Sequence, residues 1–235
     1  VPGVVVRLTA PFGKVEPVDG NRLRAGAAAL DKKVASVAAK AGIAGLEFFT
    51  GVPGAIGGAI RMNAGCYGTE TCDVLVEAAA LDRMGRRRIV TPDELGYAYR
   101  HSEAPDDWIF TEAVFQGRAD DPEAIAGRMD EITARREQTQ PIREKTSGST
   151  FKNPDPPGTP DQRKAWKLID RAGWRGKKIG GARFSEQHAN FLINDGTASA
   201  ADLEAVGEGA RADIRAATGI DLHWEVRRIG VETST

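Results

Sequence analysis

The segment from Gly51 to Gly68 constrains this chain more than any other, because six of its eighteen residues are glycine. Glycine lacks a Cβ atom, so such a backbone can approach another group closely and can adopt positive φ angles. Successive exposed N–H groups form a concavity that suits anionic oxygens. The segment therefore favours a phosphate-bearing cofactor lying against bare backbone. Composition alone leaves a second interpretation open, which is a tight glycine-rich crossover without a ligand.

Size and charge narrow the class of protein. The chain has 235 residues, a hydrophobic fraction of 41% and a net charge of −1, which allows one large domain or two modest ones. The near-neutral charge gives no electrostatic case for binding nucleic acid or an anionic membrane. No apolar run reaches the length of a membrane span, and the start has no secretory pattern. We expect a cytoplasmic protein with reduced Cys66 and Cys72, and three histidines without metal-ligand spacing.

Hydrophobic periodicity and turn residues predict an α+β fold without internal repeats. The predicted strands cover residues 4–8, 15–26 (a hairpin around Asp19-Gly20), 74–81, 87–90, 108–116, 179–184, 190–193 and 222–229. The predicted helices cover residues 30–41, 121–140, 165–172 and 199–218, the last with a capping box of Ser199 and Asp202. A turn-rich stretch begins at Pro141, and we place a domain boundary there.

Residues 207–212 contain two glycines in a pattern that resembles part of a dinucleotide-binding fingerprint. That fingerprint needs a strand before it and a helix opening at it. Here the glycines lie inside a predicted helix, so we reject a Rossmann site at this position.

Three other segments carry polar groups suited to chemistry. Arg100 lies between two tyrosines and a histidine, where it can hold a carboxylate in bidentate fashion or stack on tyrosine at a sheet edge. Ser149 follows a glycine turn and precedes a lysine and an asparagine, which suits ligand binding or an ordinary turn. A serine nucleophile is disfavoured because the Gly-x-Ser-x-Gly pattern is missing. Glu225 lies in the last predicted strand, where a solvated face or a salt bridge is the alternative.

Taken in chain order, these segments resemble one family, the UDP-N-acetylenolpyruvoylglucosamine reductases, also called UDP-N-acetylmuramate dehydrogenase or MurB. The matching residues are Gly51-Val52-Pro53-Gly54, Gly57-Gly58, Met62-Asn63-Ala64-Gly65, Tyr67-Gly68, Tyr99-Arg100-x-Ser102, Gly148-Ser149-x-Phe151-Lys152-Asn153-Pro154, Ile179-Gly180-Gly181-Ala182, Ser185-Glu186-x-His188-Ala189-Asn190-Phe191, Ile193-Asn194 and Trp224-Glu225-Val226-x-x-Ile229-Gly230. Each motif is weak alone, but the series spans essentially the whole chain and is highly specific.

The resemblance implies an α+β protein with an FAD-binding domain of the MurB/vanillyl-alcohol-oxidase type and a smaller α+β substrate-binding domain. The expected division is residues 1–140 for the FAD-binding domain, 141–220 for the substrate-binding domain and 221–235 for a terminal strand that carries Glu225 back to the active site. The implied reaction has two halves. NADPH reduces bound FAD, and the flavin then passes a hydride to the enolpyruvyl ether of UDP-N-acetylglucosamine, giving UDP-N-acetylmuramate for peptidoglycan synthesis.

The same resemblance assigns roles to particular residues. Ser149 is the proton donor, and Arg100 and Glu225 stabilise the enolate-like intermediate. The expected cofactor-binding residues are Gly51, Pro53, Gly54, Gly57, Gly58, Asn63 and Gly65. The expected substrate-binding residues are Tyr67, Lys152, Asn153, Gln187 and His188. We expect a monomer whose only partners are these small molecules.

Two departures from the family pattern stand out. The family carries a further FAD-binding segment before the position of Val1, and this sequence has none. We interpret the chain as part of a longer one, because residues 4–8 look like a strand from the middle of a domain. No insertion lies between Arg100 and Pro141, which indicates the shorter subtype without a substrate-capping tyrosine loop. Two alternative functions stay open: another flavin oxidoreductase of the same fold, and a non-catalytic module that binds nucleotide sugars.

Overall fold

The structure is a computed structural model that describes residues 3–230. The chain forms two compact units. The first unit comprises residues 5–135, and the second comprises residues 136–230 together with residues 3 and 4.

The first unit is built on a five-stranded antiparallel sheet flanked by short helices. Its strands are β1 (Val15–Val18), β2 (Arg22–Gly26), β3 (Ile43–Ala44), β4 (Gly65–Cys66), β5 (Thr69–Glu70), β6 (Leu75–Leu81), β7 (Arg87–Val90), β8 (Ile109–Gln116) and β9 (Arg118–Ala119). Its helices are α1 (Asp31–Lys40), α2 (Ile56–Met62), α3 (Thr71–Val74) and α4 (Pro122–Thr139), whose last turn belongs to the second unit. The large sheet has the order β1-β2-β8-β6-β7, while β3 pairs with β9 and β4 with β5.

Local sequence signals account for this unit. The β1–β2 hairpin turns through Gly20 and Asn21, which both have positive φ, as a short hairpin loop requires. Helix α1 buries Val34 and Ala38 and is followed by Gly42 at φ +67°, which satisfies the helix stop that the sequence predicts. These elements, and the predicted strands that became β6, β7 and β8, are confirmed.

The second unit packs helices against a four-stranded antiparallel sheet of order β10-β13-β12-β11. Its elements are β10 (Lys145–Ser149), α5 (Ala165–Arg171), β11 (Lys178–Ile179), β12 (Ala182–Phe184), β13 (Phe191–Asn194) and α6 (Ala200–Thr218). The capping box of Ser199 and Asp202 opens α6, and Gly219 ends it at φ +72°, as predicted. Strand β10 was not expected, because its Lys-Thr-Ser-Gly-Ser sequence carries no apolar alternation and depends on pairing with β13.

The two glycines of the rejected fingerprint lie inside α6 and serve packing. A Cβ atom on Gly207 would lie 2.2 Å from the Trp224 ring, and one on Gly209 would lie 2.4 Å from the Trp174 ring. Contacts this short exclude any side chain larger than hydrogen. The sequence-based rejection of a Rossmann site at this place agrees with the structure.

Two predicted strands are wrong. Residues 4–8 form no strand, and the side chains of Val4, Val5 and Val6 are exposed, since a β-branched run makes no strand without a paired edge. Residues 222–229 make only the isolated bridge between Phe151 and Trp224 within the described part of the chain. The Trp224 indole packs on α6 and its Nε1–H donates to Glu208. These contacts attach the segment to the helix and do not make it part of a sheet. The rest of the predicted terminal segment, residues 231–235, lies outside the described residues.

No helix within residues 3–230 combines the length and the apolar character that crossing a membrane requires.

Candidate functional site

Three glycines of the segment 51–68 lie where the first unit itself is tightly packed. A Cβ atom on Gly51 would lie 2.6 Å from the Cys66 Sγ, and one on Gly65 would lie 2.5 Å from the Thr69 carbonyl oxygen. A Cβ atom on Gly57 would meet Ala27 at 3.2 Å. Gly51 and Gly65 have no room for a side chain whether or not a ligand is bound, and Gly57 could accept one only with a small shift of Ala27.

Other residues of the segment leave backbone open to solvent. Gly58 is exposed, and a Cβ atom there would meet nothing within 4 Å. Pro53 and Gly54 are also exposed. Among residues 3–230, the backbone N–H groups of Gly54 and Ala55 donate to no acceptor. Unpaired N–H groups beside open glycine backbone are what a phosphate-bearing cofactor needs.

A buried carboxyl group lies beneath this open stretch. Asp31 is 1% exposed, and neither of its carboxylate oxygens has a hydrogen-bond partner among the described residues. Its Oδ2 lies 3.0 Å from where a Gly54 Cβ would be, and its N–H donates to the Gly54 carbonyl at 3.1 Å. Burial raises the pKa of Asp31 to about 7. The Thr50 hydroxyl is likewise buried without a partner. Buried polar groups are nearly always hydrogen-bonded, so the unpaired oxygens of Asp31 and Thr50 are among the exceptions in this unit.

Arg100 is held by the loop that follows α2. Its Nη2 donates to the Gly65 carbonyl at 2.7 Å and its Nη1 to the Asn63 carbonyl at 3.4 Å. The Glu70 carboxylate lies 3.4 Å from Nη1. Arg100 adopts φ +53°, and its guanidinium stacks over the Tyr99 ring at 5.1 Å. The stacking on tyrosine that the sequence left open as an alternative is therefore present together with the polar contacts.

Asn63 ties this loop together from inside. It is 1% exposed and adopts φ +45°. Its Nδ2 donates to Glu70 at 2.9 Å and to the Ala98 carbonyl at 3.3 Å, and its Oδ1 accepts from the Cys72 N–H at 3.0 Å. The amide is thus committed to the loop, and direct contact of Asn63 with the cofactor stays a prediction.

Ser149 lies at a β-bulge in the second unit. The pairing of β10 with β13 shifts register between Thr146 and Ser149, and Gly148 in between has φ +89°. A bulge of this kind bends the strand and re-aims the side chains beside it. Ser149 is half-buried, opposite Phe191.

Asn190 clamps the residues that follow Ser149. Its Oδ1 accepts from the Phe151 N–H at 3.0 Å, and its Nδ2 donates to the Phe151 carbonyl at 2.8 Å. Its own carbonyl accepts from the Thr150 N–H at 2.7 Å. The Thr150 hydroxyl, fully buried, accepts from the Leu192 N–H at 3.1 Å. Every bond in this clamp is buried, so the backbone after Ser149 is fixed.

Glu225 is brought to the same place from far along the chain. Its N–H donates to the Thr150 carbonyl at 2.8 Å, and the Lys152 N–H donates to the His223 carbonyl at 2.9 Å. The second unit therefore places the Glu225 backbone beside Thr150, the residue that follows Ser149. Arg100 belongs to the first unit, and the meeting of all three side chains stays a prediction.

The predicted substrate-binding residues are spread over both units. Asn153 Oδ1 accepts from the Ala165 N–H at 3.0 Å at the start of α5. Gln187 Nε2 donates to the Glu137 carbonyl at 3.0 Å. Lys152, three residues after Ser149, donates its N–H to the His223 carbonyl. In the first unit, Tyr67 is 39% exposed and Arg135 lies over its ring at 5.0 Å.

The His188 ring makes contacts inside the second unit. Its Nδ1 accepts from the Asn190 N–H at 3.3 Å, and it meets the Phe191 ring edge-to-face at 4.7 Å. Burial lowers the pKa of His188, so the neutral ring is favoured. Its contacts support the clamp around Asn190, and its predicted contact with substrate stays a prediction.

Sequence reasoning missed three residues that shape the site: Asp31, Glu70 and Asn190. Asn190 had a usable signal, because a polar amide between Ala189 and Phe191 interrupts an apolar run. Asp31 and Glu70 had none, since acidic residues at helix starts are common.

Comparison with known families matches both parts of the chain. Residues 1–91 match the FAD binding domain, and residues 140–229 match the C-terminal domain of UDP-N-acetylenolpyruvoylglucosamine reductase.

Similar proteins cover nearly the whole chain. The UDP-N-acetylenolpyruvoylglucosamine reductase of Maricaulis maris is 73% identical over 98% of this chain and 73% of its own length. That of Phenylobacterium zucineum is 62% identical over 98% of this chain and 75% of its own length. The crystal structure of the Thermus caldophilus enzyme (MurB) is similar with a TM-score of 0.82 and 33% identity, covering 97% of this chain and 78% of that one. The chain belongs to the UDP-N-acetylenolpyruvoylglucosamine reductase family.

Proposed function

We propose that this chain reduces UDP-N-acetylglucosamine enolpyruvate to UDP-N-acetylmuramate, with FAD as cofactor and NADPH as the electron source. Its relatives carry the name of that reductase. The observation that supports the proposal is the clamp in the second unit, which fixes the backbone after the half-buried Ser149 and pairs the Glu225 N–H with the Thr150 carbonyl.

FAD supplies the hydride chemistry when bound. In this proposal its phosphates lie against the open backbone of Gly54, Ala55 and Gly58. Asp31 and Thr50 lie buried in the same unit with unsatisfied oxygens, which supports a ligand or a further chain segment completing this surface. The predicted roles of Gly51, Gly57 and Gly65 are then indirect, because their small size lets the loop pack.

Arg100 is proposed to stabilise negative charge on the substrate carboxylate. Charge moves onto that group as the enol ether is reduced, so a guanidinium held in advance gains most of its interaction in the transition state. The hydrogen bonds to the Asn63 and Gly65 carbonyls support this role, since they fix the guanidinium before any substrate arrives.

Ser149 is proposed to deliver the proton to the carbon next to the reduced methylene. A serine hydroxyl is a weak acid, so it needs a strongly basic carbanion and a position within hydrogen-bond reach of it. The clamp by Asn190 supplies the fixed position. Glu225, close to a substrate carboxylate, is proposed to act protonated or to share a proton, because two like charges would repel.

The remaining assignments belong to the same proposal. Lys152 and Asn153 interact with the substrate diphosphate, and Gln187 and His188 lie towards the uridine, with Tyr67 also contacting substrate. The enzyme acts as a monomer in the cytoplasm. The free thiols of Cys66 and Cys72 support a reducing compartment. Native mass measurement tests the monomer.

An anaerobic absorbance experiment tests the function. NADPH is expected to bleach the bound flavin, and the enolpyruvyl sugar nucleotide is expected to restore its colour. Bleaching without restoration would contradict the proposal and favour another flavin oxidoreductase. Protein that takes up no FAD would contradict it in favour of a binding module.

A further inference from the structure

Glu70 lies at the centre of the loop that holds Arg100. Its Oε1 is 3.4 Å from the Arg100 Nη1, and its Oε2 accepts from the Asn63 Nδ2 at 2.9 Å. Its N–H donates to the Asp73 carboxylate at 2.7 Å, in a reciprocal capping box at the start of α3. The carboxylate is thus fixed by its neighbours on several sides.

Arg100 depends on this loop for its orientation. Its φ of +53° is a conformation that side-chain-bearing residues seldom adopt. Its guanidinium bonds to two neutral carbonyls, of Asn63 and Gly65, and to the charged Glu70. All three acceptors belong to the stretch from α2 to α3, so this loop holds the guanidinium on one side while the Tyr99 ring contacts it as well.

The orientation of the Arg100 guanidinium matters to the reaction as well as its charge. A preorganised charge stabilises a transition state because it need not reorganise during the reaction, and a misplacement of about 1 Å can cost about 100-fold in rate. Glu70 subtracts from the positive field of Arg100, so its benefit to the reaction must come through geometry. The exposed fractions of the two side chains, 20% and 28%, are low enough for the contact to restrict both.

We propose that Glu70 is a positioning residue, which orients the Arg100 guanidinium for the substrate carboxylate in the second half-reaction. The inference rests on the proposed role of Arg100. It assigns Glu70 no contact with substrate and no part in flavin reduction by NADPH.

Protonation of Glu70 then has a defined consequence. Burial raises its pKa; Arg100 and the Asn63 amide act to lower it, and Asp73 acts to raise it. Cys72, on the same helix as Asp73, has a pKa that burial raises, and its thiol is neutral. As pH falls through the raised pKa, Glu70 becomes neutral and loses its charge-assisted contact with Arg100. The substrate half-reaction should therefore slow on the acid side, while flavin reduction should not.

The test measures the two half-reactions separately by stopped-flow absorbance across the pH range of stability. Glu70→Ala should slow the substrate half-reaction about 10- to 100-fold and leave flavin reduction unchanged. Glu70→Gln keeps the shape and an acceptor oxygen, so it should slow the step less and abolish the acid-side decline assigned to Glu70. Glu77→Gln, at an exposed position on β6, is the matched control and should behave as wild type.

A double-mutant cycle separates positioning from mere support of the fold. In an Arg100→Lys background, Glu70→Gln should add little further loss, because the group it positions is gone. If the rate losses of the two substitutions were fully additive, the inference would be overturned. It would also be overturned if Glu70→Gln kept the acid-side decline of the substrate half-reaction. A wild-type enzyme whose flavin is not reoxidised by the sugar nucleotide would instead overturn the proposed function. If Glu70→Ala does not fold, the pH profile of Glu70→Gln and the double-mutant cycle still test the inference.

Discussion

The loop around Arg100 and the turn around Ser149 are built by opposite means. The first unit leaves polar groups unpaired, with open N–H groups at Gly54 and a buried Asp31 that bonds to nothing described. Around Ser149, the second unit satisfies its buried polar groups, because Asn190 bonds to both the N–H and the carbonyl of Phe151. An unpaired buried group costs free energy that a ligand or a further segment can recover, whereas a paired one fixes geometry. The first unit should thus depend on its cofactor for stability, and the second should hold its shape alone.

The largest effect in this comparison concerns Asp31. Its pKa rises from the ordinary 3.8 to about 7 on folding, so the unfolded chain loses the proton first as pH rises. The free energy of unfolding should fall by about 4 kcal/mol between about pH 4 and pH 7 and then stay level. Asp31→Asn should remove this decline from the cofactor-free protein. Denaturant unfolding at several pH values measures it, with exposed Asp93→Asn as control. Parallel curves for wild type and Asp31→Asn would contradict the account.

Arg100→Lys should have the next largest effect. Lysine keeps the charge but cannot reproduce the planar donors that reach the Asn63 and Gly65 carbonyls. The substrate half-reaction should slow about 100-fold, while flavin reduction keeps its rate. Stopped-flow measurement of both steps checks this. Equal slowing of both steps would show that the residue supports the flavin site instead.

Asn190→Ala tests the paired region. The N–H and carbonyl of Phe151 would lose their partner inside the protein, which should cost about 1–3 kcal/mol and slow the substrate half-reaction. Ser199→Ala, which removes the α6 cap at a cost of about 1 kcal/mol, is the control with a comparable loss of stability. Thermal unfolding and stopped-flow rates together decide. An intact substrate step in Asn190→Ala would show that Ser149 needs no clamp.

Gly58→Ala should have the smallest effect, confined to cofactor affinity. Nothing lies within 4 Å of the added methyl group, so the fold should tolerate it. A methyl group on the cofactor face should weaken FAD binding about tenfold, or about 1.4 kcal/mol. Gly127→Ala, equally uncrowded and exposed on α4, is the matched control and should leave affinity unchanged. If fluorescence titration finds equal FAD affinity in the two variants, the cofactor does not lie against Gly58.

The sequence predicts local structure well here because the signals are local. Helix stops at Gly42 and Gly219, and the capping box at Ser199, act within a few residues of themselves. Strand β10 and the segment around Trp224 depend on partners far along the chain. Their short polar or mixed sequences therefore do not reveal which local structure they adopt. Resemblance indicates Ser149 and Glu225, and in the structure the Glu225 N–H pairs with Thr150, the residue next to Ser149. The sequence marks Asn190 as a polar amide within an apolar run, but it does not reveal the contacts of Asn190 or Glu70, because those depend on which groups meet in three dimensions.

We propose that Ser149 protonates substrate and takes no part in flavin reduction. Anaerobic stopped-flow on Ser149→Ala tests it directly. In this variant NADPH should bleach the flavin at the wild-type rate, while recovery of colour with the enolpyruvyl sugar nucleotide should slow about 10²- to 10⁴-fold. Recovery at the wild-type rate would contradict it.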